Sequence, residues 1–168
     1  MCHRKPNCSL STDIPPTSVR VVHFLDVANL LTGRVTLKRA ELLWNVYAAL
    51  VPVAEDDLVY VGLAPRDAPV AAFAFPSRVQ VRIGAPRGAG VADDLAGLLD
   101  PNWVDDRFTC VIIGSSNARF AAPLARLSQH IQRIHVTGHA TKSSTMRRAT
   151  HHTIPLPTSN LEPPLAAA

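Results

Sequence analysis

The chain has 168 residues, 47% hydrophobic and 5% aromatic, with a net charge of +4 and a pI near 9.3. This suits one domain with an aliphatic core and mildly favours a polyanionic partner. No apolar run approaches the roughly 20 residues of a membrane span, so no membrane partner is expected. The three cysteines, Cys2, Cys8 and Cys110, are odd in number and show no zinc spacing, which argues against a disulfide framework and for a reducing cytoplasm.

Residues 1–18, MCHRKPNCSLSTDIPPTS, lack the apolar core of a signal peptide and read as a disordered arm. The ordered domain is expected over 19–157, with 158–168 a disordered tail. Arg20 to Leu25 forms an apolar strand of the kind buried on both faces of a parallel sheet. Asp26 follows it, and a loop containing Gly33 leads to a helix over Thr36–Leu50. Thr36 caps that helix, Pro52 stops it, and Leu37, Ala40, Leu43, Tyr47 and Leu50 recur at helical spacing. Trp44 on this helix is read as a packing residue.

A second strand spans Asp57–Leu63. Ala71–Phe75 is either a short helix or an irregular connection. A third strand, Arg78–Ile83, alternates apolar and polar residues and belongs near a sheet edge. The Gly-rich loop 84–90 has neither a Walker lysine nor the glycine spacing of a nucleotide fingerprint. Its Arg87 is either a phosphate contact or a solvated cation. Asp93 and Asp94 open a helix over 91–100 that Pro101 ends, and residues 102–107 read as a polar connection. A fully apolar strand follows over 108–114, then a helix over 121–132 with Phe120, Leu124, Leu127 and Ile131 on its buried stripe. A strand at Ile134–Thr137, a helix at Ser143–Ala149 capped by Thr141 or Ser143, and an edge strand at His151–Leu156 complete the domain. His151 and His152 are adjacent on that strand and point to opposite faces, so they do not share a metal.

Strands alternating with helices predict a three-layer α/β/α sandwich with a mostly parallel central sheet. The 21–25 strand should be central, between those at 58–63 and 110–114. The polar residues of interest follow strand ends: Asp26 and Asn29, then Asp93 and Asp94, then Ser115, Ser116, Asn117 and Arg119. Ligands bind at that edge in open α/β sheets. For Asp26 two readings stand side by side: a turn cap helped by Asn29, or a metal ligand oriented by Asn29. Carboxylates meeting there would suit Mg²⁺ or Mn²⁺, and such a metal activates water against a phosphodiester.

With these motifs in order, the chain resembles NYN domains of the PIN-like nuclease superfamily over residues 20–157. HFLDVANLL is similar to the family's opening Asp-Gly-x-Asn element, with Asp26 and Asn29 matching and Val27 in place of the glycine. GVADDLAGLLD is similar to its Gly-Val-Asp element, with Asp94, or else Asp93, as the equivalent acid. VIIGSSNARFAAPLARL is similar to its Ser-Gly-Asp-x-Asp-Phe element. Ser115, Phe120, Pro123 and Leu124 match, Ser116 replaces the glycine, and Asn117 and Arg119 stand at the two acids.

The resemblance implies a ribonuclease dependent on Mg²⁺ or Mn²⁺. It implies Asp26, Asp94 and Asn117 as catalytic residues and Asp26, Asp93 and Asp94 as metal ligands. Asn29, Ser115, Ser116, Arg87 and Arg119 would contact RNA. The alternative is an NYN-like domain that binds RNA or a protein partner, a second copy included, without cutting. Arg119 is expected to reach into the cleft and pair with Asp26 or Asp94, where the family places a cation.

Overall fold

The computed structural model describes residues 19–85, 90–138, 143–157 and 161. Its first strand, β1 (Val21–Asp26), lies at the middle of the sheet. It leads into a single-turn helix, α1 (Val27–Leu30), and then α2 (Leu37–Leu50). Next come β2 (Leu58–Leu63), α3 (Ala68–Ala71) with a 3-10 turn at Ala72–Ala74, and β3 (Gln80–Ile83). The second half contains α4 (Gly90–Leu98), α5 (Pro101–Arg107) and β4 (Cys110–Gly114). A 3-10 turn at Ala118–Phe120 runs into α6 (Ala121–Ala125), followed by β5 (Gln132–Thr137), α7 (Ser144–Ala149) and β6 (His152–Pro155).

The six strands are ordered β3-β2-β1-β4-β5-β6, and every pairing is parallel. Because side chains alternate across a strand, the sheet divides the core in two. Leu25, Val59, Val61, Cys110 and Ile112 pack with Leu30, Leu43, Tyr47 and Ala71, on the side of α1, α2 and α3. Val22, Phe24, Val111 and Ile113 pack with Leu95, Val104, Leu124 and Met146, on the side of α4 to α7. The result is the expected three-layer α/β/α sandwich, with β1 between β2 and β4. Among the described residues no helix is long and apolar enough to cross a membrane.

Gly62, beside Asp26 in the β1–β2 register, lets α4 approach the sheet. A Cβ there would lie 2.4 Å from Val91 Cγ1 and 2.7 Å from Leu95 Cδ1. This brings the first turn of α4 over the carboxyl end of β1.

Several local expectations change. The segment after Asp26 is helical, not an open loop: Asp26 caps α1, accepting from the Asn29 N–H at 3.2 Å. Residues 102–107 are helix α5, not a connection. Pro101 starts it, because a missing N–H costs nothing at a first helical position, and Asp100 caps it by accepting from the Asn102 N–H. The helix expected over 121–132 ends at Ala125, yet Leu127 and Ile131 are still buried, since the turn that reverses the chain into β5 keeps them under the same roof. The open choice at 71–75 resolves into α3 and its 3-10 turn. Ser143, not Thr141, is the visible cap of α7, accepting from the Met146 N–H at 3.3 Å; Thr141 lies outside the described residues, as do the 1–18 arm and, apart from Leu161, the 158–168 tail. Leu161 is buried in the α2 core, and its carbonyl accepts from Arg39 Nε at 3.0 Å.

Candidate functional site: the switch-point crevice

The strand order 3-2-1-4-5-6 is doubly wound: the chain steps outward from β1 on one side, then crosses and steps outward from β4 on the other. Ligands in such sheets bind outside the carboxyl ends of the strands, where that direction reverses. Here the reversal falls between β1 and β4, and the residues at those two ends are Asp26 and Ser115.

Asp26 is only 5% exposed. Its Oδ1 accepts from the Asn29 N–H and its Oδ2 from the Ser115 hydroxyl at 3.4 Å. No cation pairs with it among the described residues. Burial therefore raises its carboxyl above the ordinary value, and the N–H groups of Asn29 and Ala28 and the Ser115 hydroxyl oppose this only in part. The turn-cap reading of Asp26 holds, and Asp26 is also an uncompensated acid at the edge where open α/β sheets bind ligands.

The loop after β4 is tied to the loop after β1. Asn29 Oδ1 accepts from the Ser116 N–H at 2.7 Å, the Asn117 N–H donates to Ser115 Oγ at 3.2 Å, and Asn117 Oδ1 accepts from the Arg119 N–H at 3.0 Å. Asp26, Ala28, Asn29, Gly90, Val91, Ala92 and Asn117 line an open crevice of about 300 Å³. Asp26, Asn29, Ser115, Ser116 and Asn117 thus gather in one place.

The two acids of α4 behave differently from each other, as neighbours about 100° apart on a helix must. Asp93 pairs with Arg119, Oδ1 to Nε, at 2.8 Å. Asp94 turns to the β3–α4 loop and accepts from the Ala85 N–H at 2.7 Å. The expected partner of Arg119 was Asp26 or Asp94; the observed one is Asp93, because that face of α4 packs against the 3-10 turn carrying Arg119. Arg87 lies outside the described residues.

This donor set does not suit Mg²⁺ or Mn²⁺ as it stands. Among the described residues no three His, Cys, Asp or Glu side chains form a group that could hold a metal. A hard divalent ion wants several anionic oxygens, whereas here Asp93 is neutralised by a guanidinium, Asp94 is bonded to backbone and Asn117 brings no charge.

Two further polar residues at this edge were not singled out from the sequence. His135 is fully buried in β5, opposite Ile113 of β4, and neither ring nitrogen makes a well-directed hydrogen bond among the described residues. Burial pulls its imidazole below the ordinary value, with the Ser115 backbone pulling weakly the other way. Asp67, after β2, is 8% exposed and lines a second crevice. A histidine between the apolar Ile134 and Val136 in a strand was the only available signal for the first; nothing local marked the second.

Fold and site define a doubly wound α/β domain with a polar crevice at its switch point. Neither a scan against models of known protein families nor a search of curated proteins finds a match.

Proposed function

We propose that the chain is an NYN-like domain that binds RNA at its switch-point crevice without cleaving it. The observation that carries this reading is the 2.8 Å pair between Arg119 and Asp93. The guanidinium of Arg119 neutralises Asp93, one of the acids that would have to turn toward Asp26 to hold a catalytic cation. What remains around Asp26 are the side-chain amides of Asn29 and Asn117 and the hydroxyls of Ser115 and Ser116, groups of the kind that contact sugars and phosphates. The net charge of +4 and the arginines at this edge, Arg34, Arg66 and Arg119, favour a polyanion. A cytoplasmic setting completes the reading, since it keeps the buried free thiol of Cys110 reduced.

The test is fluorescence anisotropy with a labelled RNA oligonucleotide, first in EDTA and then in Mn²⁺, with gel analysis of the same samples. Binding that survives EDTA, with intact RNA in Mn²⁺, is the expected result. Mn²⁺-dependent cleavage that disappears in Asp26→Asn would replace this reading with an active nuclease. No binding under either condition would leave a protein partner as the occupant. Calorimetric titration of Mn²⁺ adds a second readout: Arg119→Asp should bind the metal more tightly than the wild type, because it exchanges a cation for a ligand beside Asp93.

A further inference from the structure

A second crevice, of about 680 Å³, opens at the same edge of the sheet, between the loop after α1 and the loop after β2. Its walls include Gly33, Arg34, Arg66, Asp67 and Val70. Ala28 lines both this crevice and the one beside Asp26, so the two are neighbours.

The chemistry of this second crevice is mixed. The Arg34 guanidinium makes no hydrogen bond among the described residues; only its carbonyl is used, by Arg39. The Arg66 side chain is 84% exposed and approaches Asp67 at 3.8 Å, too far for a hydrogen bond. Asp67 leads into α3 but its side chain does not cap the helix. Two guanidinium groups thus stand ready for an anion, while a largely buried, acceptor-only carboxylate beside them repels one. A ligand that carries a phosphate and, a few ångströms away, a hydroxyl that donates satisfies all three. Phe73, one helical turn past Val70, is 85% exposed, which leaves an aromatic face free for stacking.

We infer that this crevice is a ribonucleotide subsite, in which Arg34 and Arg66 hold a backbone phosphate and Asp67 accepts a hydrogen bond from the 2′-hydroxyl. The inference rests on the RNA-binding reading and sharpens it. The preferred ligand is single-stranded RNA, running from the Asp26 crevice past Ala28 into this pocket. Asp67 sets the preference for RNA over DNA, because the 2′-hydroxyl is the group that separates the two backbones. Phe73 offers an unpaired base a stacking platform that a duplex cannot use.

The experiment measures the affinity of the full chain for single-stranded RNA and for DNA of the same sequence, as a function of salt. Arg34→Gln with Arg66→Gln should weaken both about tenfold and flatten the salt slope by about 0.7, the value for one phosphate no longer neutralised on a single strand. Asp67→Ala should abolish the preference for RNA, because it removes the acceptor of the 2′-hydroxyl and also the repulsion that holds DNA affinity down. Thermal melts of both variants confirm that the fold is intact. If the wild type binds no RNA, this inference falls together with the proposed function. If it binds RNA and the double arginine variant binds equally well, the subsite alone is overturned. Equal RNA and DNA affinity in the wild type removes the role of Asp67.

Discussion

Asp26 and Asp57 are two buried acids at opposite ends of β1, and they are held in opposite ways. Asp57, at the amino end, has a side chain only 2% exposed. It accepts from the Ala54 N–H at 2.7 Å, the Val21 N–H at 3.0 Å and His23 Nε2 at 3.4 Å, while His23 Nδ1 meets the Tyr47 hydroxyl at 2.7 Å. That network joins β1, α2 and the start of β2. Asp26, at the carboxyl end, has two longer contacts and no cation. A buried acid with its donors supplied is part of the scaffold. One left short of donors beside an open crevice costs stability, which makes Asp26 the candidate for a role outside the scaffold. The comparison separates the two acids by their surroundings, without an appeal to sequence motif.

The strongest way to test this division is Asp57→Ala. It leaves two backbone N–H groups and one histidine nitrogen without an acceptor, so urea denaturation should show a loss of about 3 kcal/mol. A loss under about 1 kcal/mol would mean the network is incidental and would break the comparison on its structural side.

Tyr47→Phe probes the far end of the same network. It removes one hydroxyl from a fully buried site and leaves His23 Nδ1 unpaired, for an expected loss of about 1 to 2 kcal/mol. Crevice ligand binding should be unchanged, since α2 does not line the Asp26 crevice.

Asp26→Asn should act in the other direction. Asparagine caps a helix as well as aspartate does, so α1 keeps its cap while a poorly compensated buried charge disappears. We expect a gain of about 1 kcal/mol at neutral pH, the usual signature of a residue kept for function at the expense of stability. A clear loss, measured by the same denaturation, would place Asp26 with Asp57 as scaffold.

How much of this was legible in the sequence depends on whether the information was local. The apolar strands, the Thr36 cap and the edge position of β3 follow from runs of adjacent residues, and so does the clustering of Asp26, Asn29, Ser115 and Asn117, because parallel α/β topology sends every such loop to one edge. Pro101 misled because proline ends one helix and begins another with equal ease. The stripe Phe120–Ile131 misled because burial can continue through a turn after helical hydrogen bonding has stopped. Which of Asp93 and Asp94 meets Arg119 turns on a 100° step set by how α4 packs over Gly62. The Asp57–His23–Tyr47 network is the least legible feature: its members come from three separate elements and become neighbours only when the sheet closes.

The smallest expected effect is also the most specific, because it reads the Asp26 carboxyl itself. Burial raises its folded pKa above the ordinary carboxylate value of 3.8, so the folded protein holds this proton more tightly than the unfolded chain does. The sign follows from linkage: Asp26 destabilises the fold at pH values above its folded pKa, and that penalty is relieved as pH falls through the folded pKa toward 3.8. His23 and His135 act oppositely. Burial lowers both below the ordinary imidazole value of 6.5, so the unfolded chain takes up protons first and their contribution is lost as pH falls below 6.5. Wild type and Asp26→Asn share both histidines, so both should lose stability together between neutral pH and the upper edge of the Asp26 titration. Below that edge their curves should converge, because a protonated Asp26 is as neutral as asparagine. A stability difference of constant size down to pH 4 would show that the carboxylate carries no burial penalty, and the contrast with Asp57 would then rest on geometry alone.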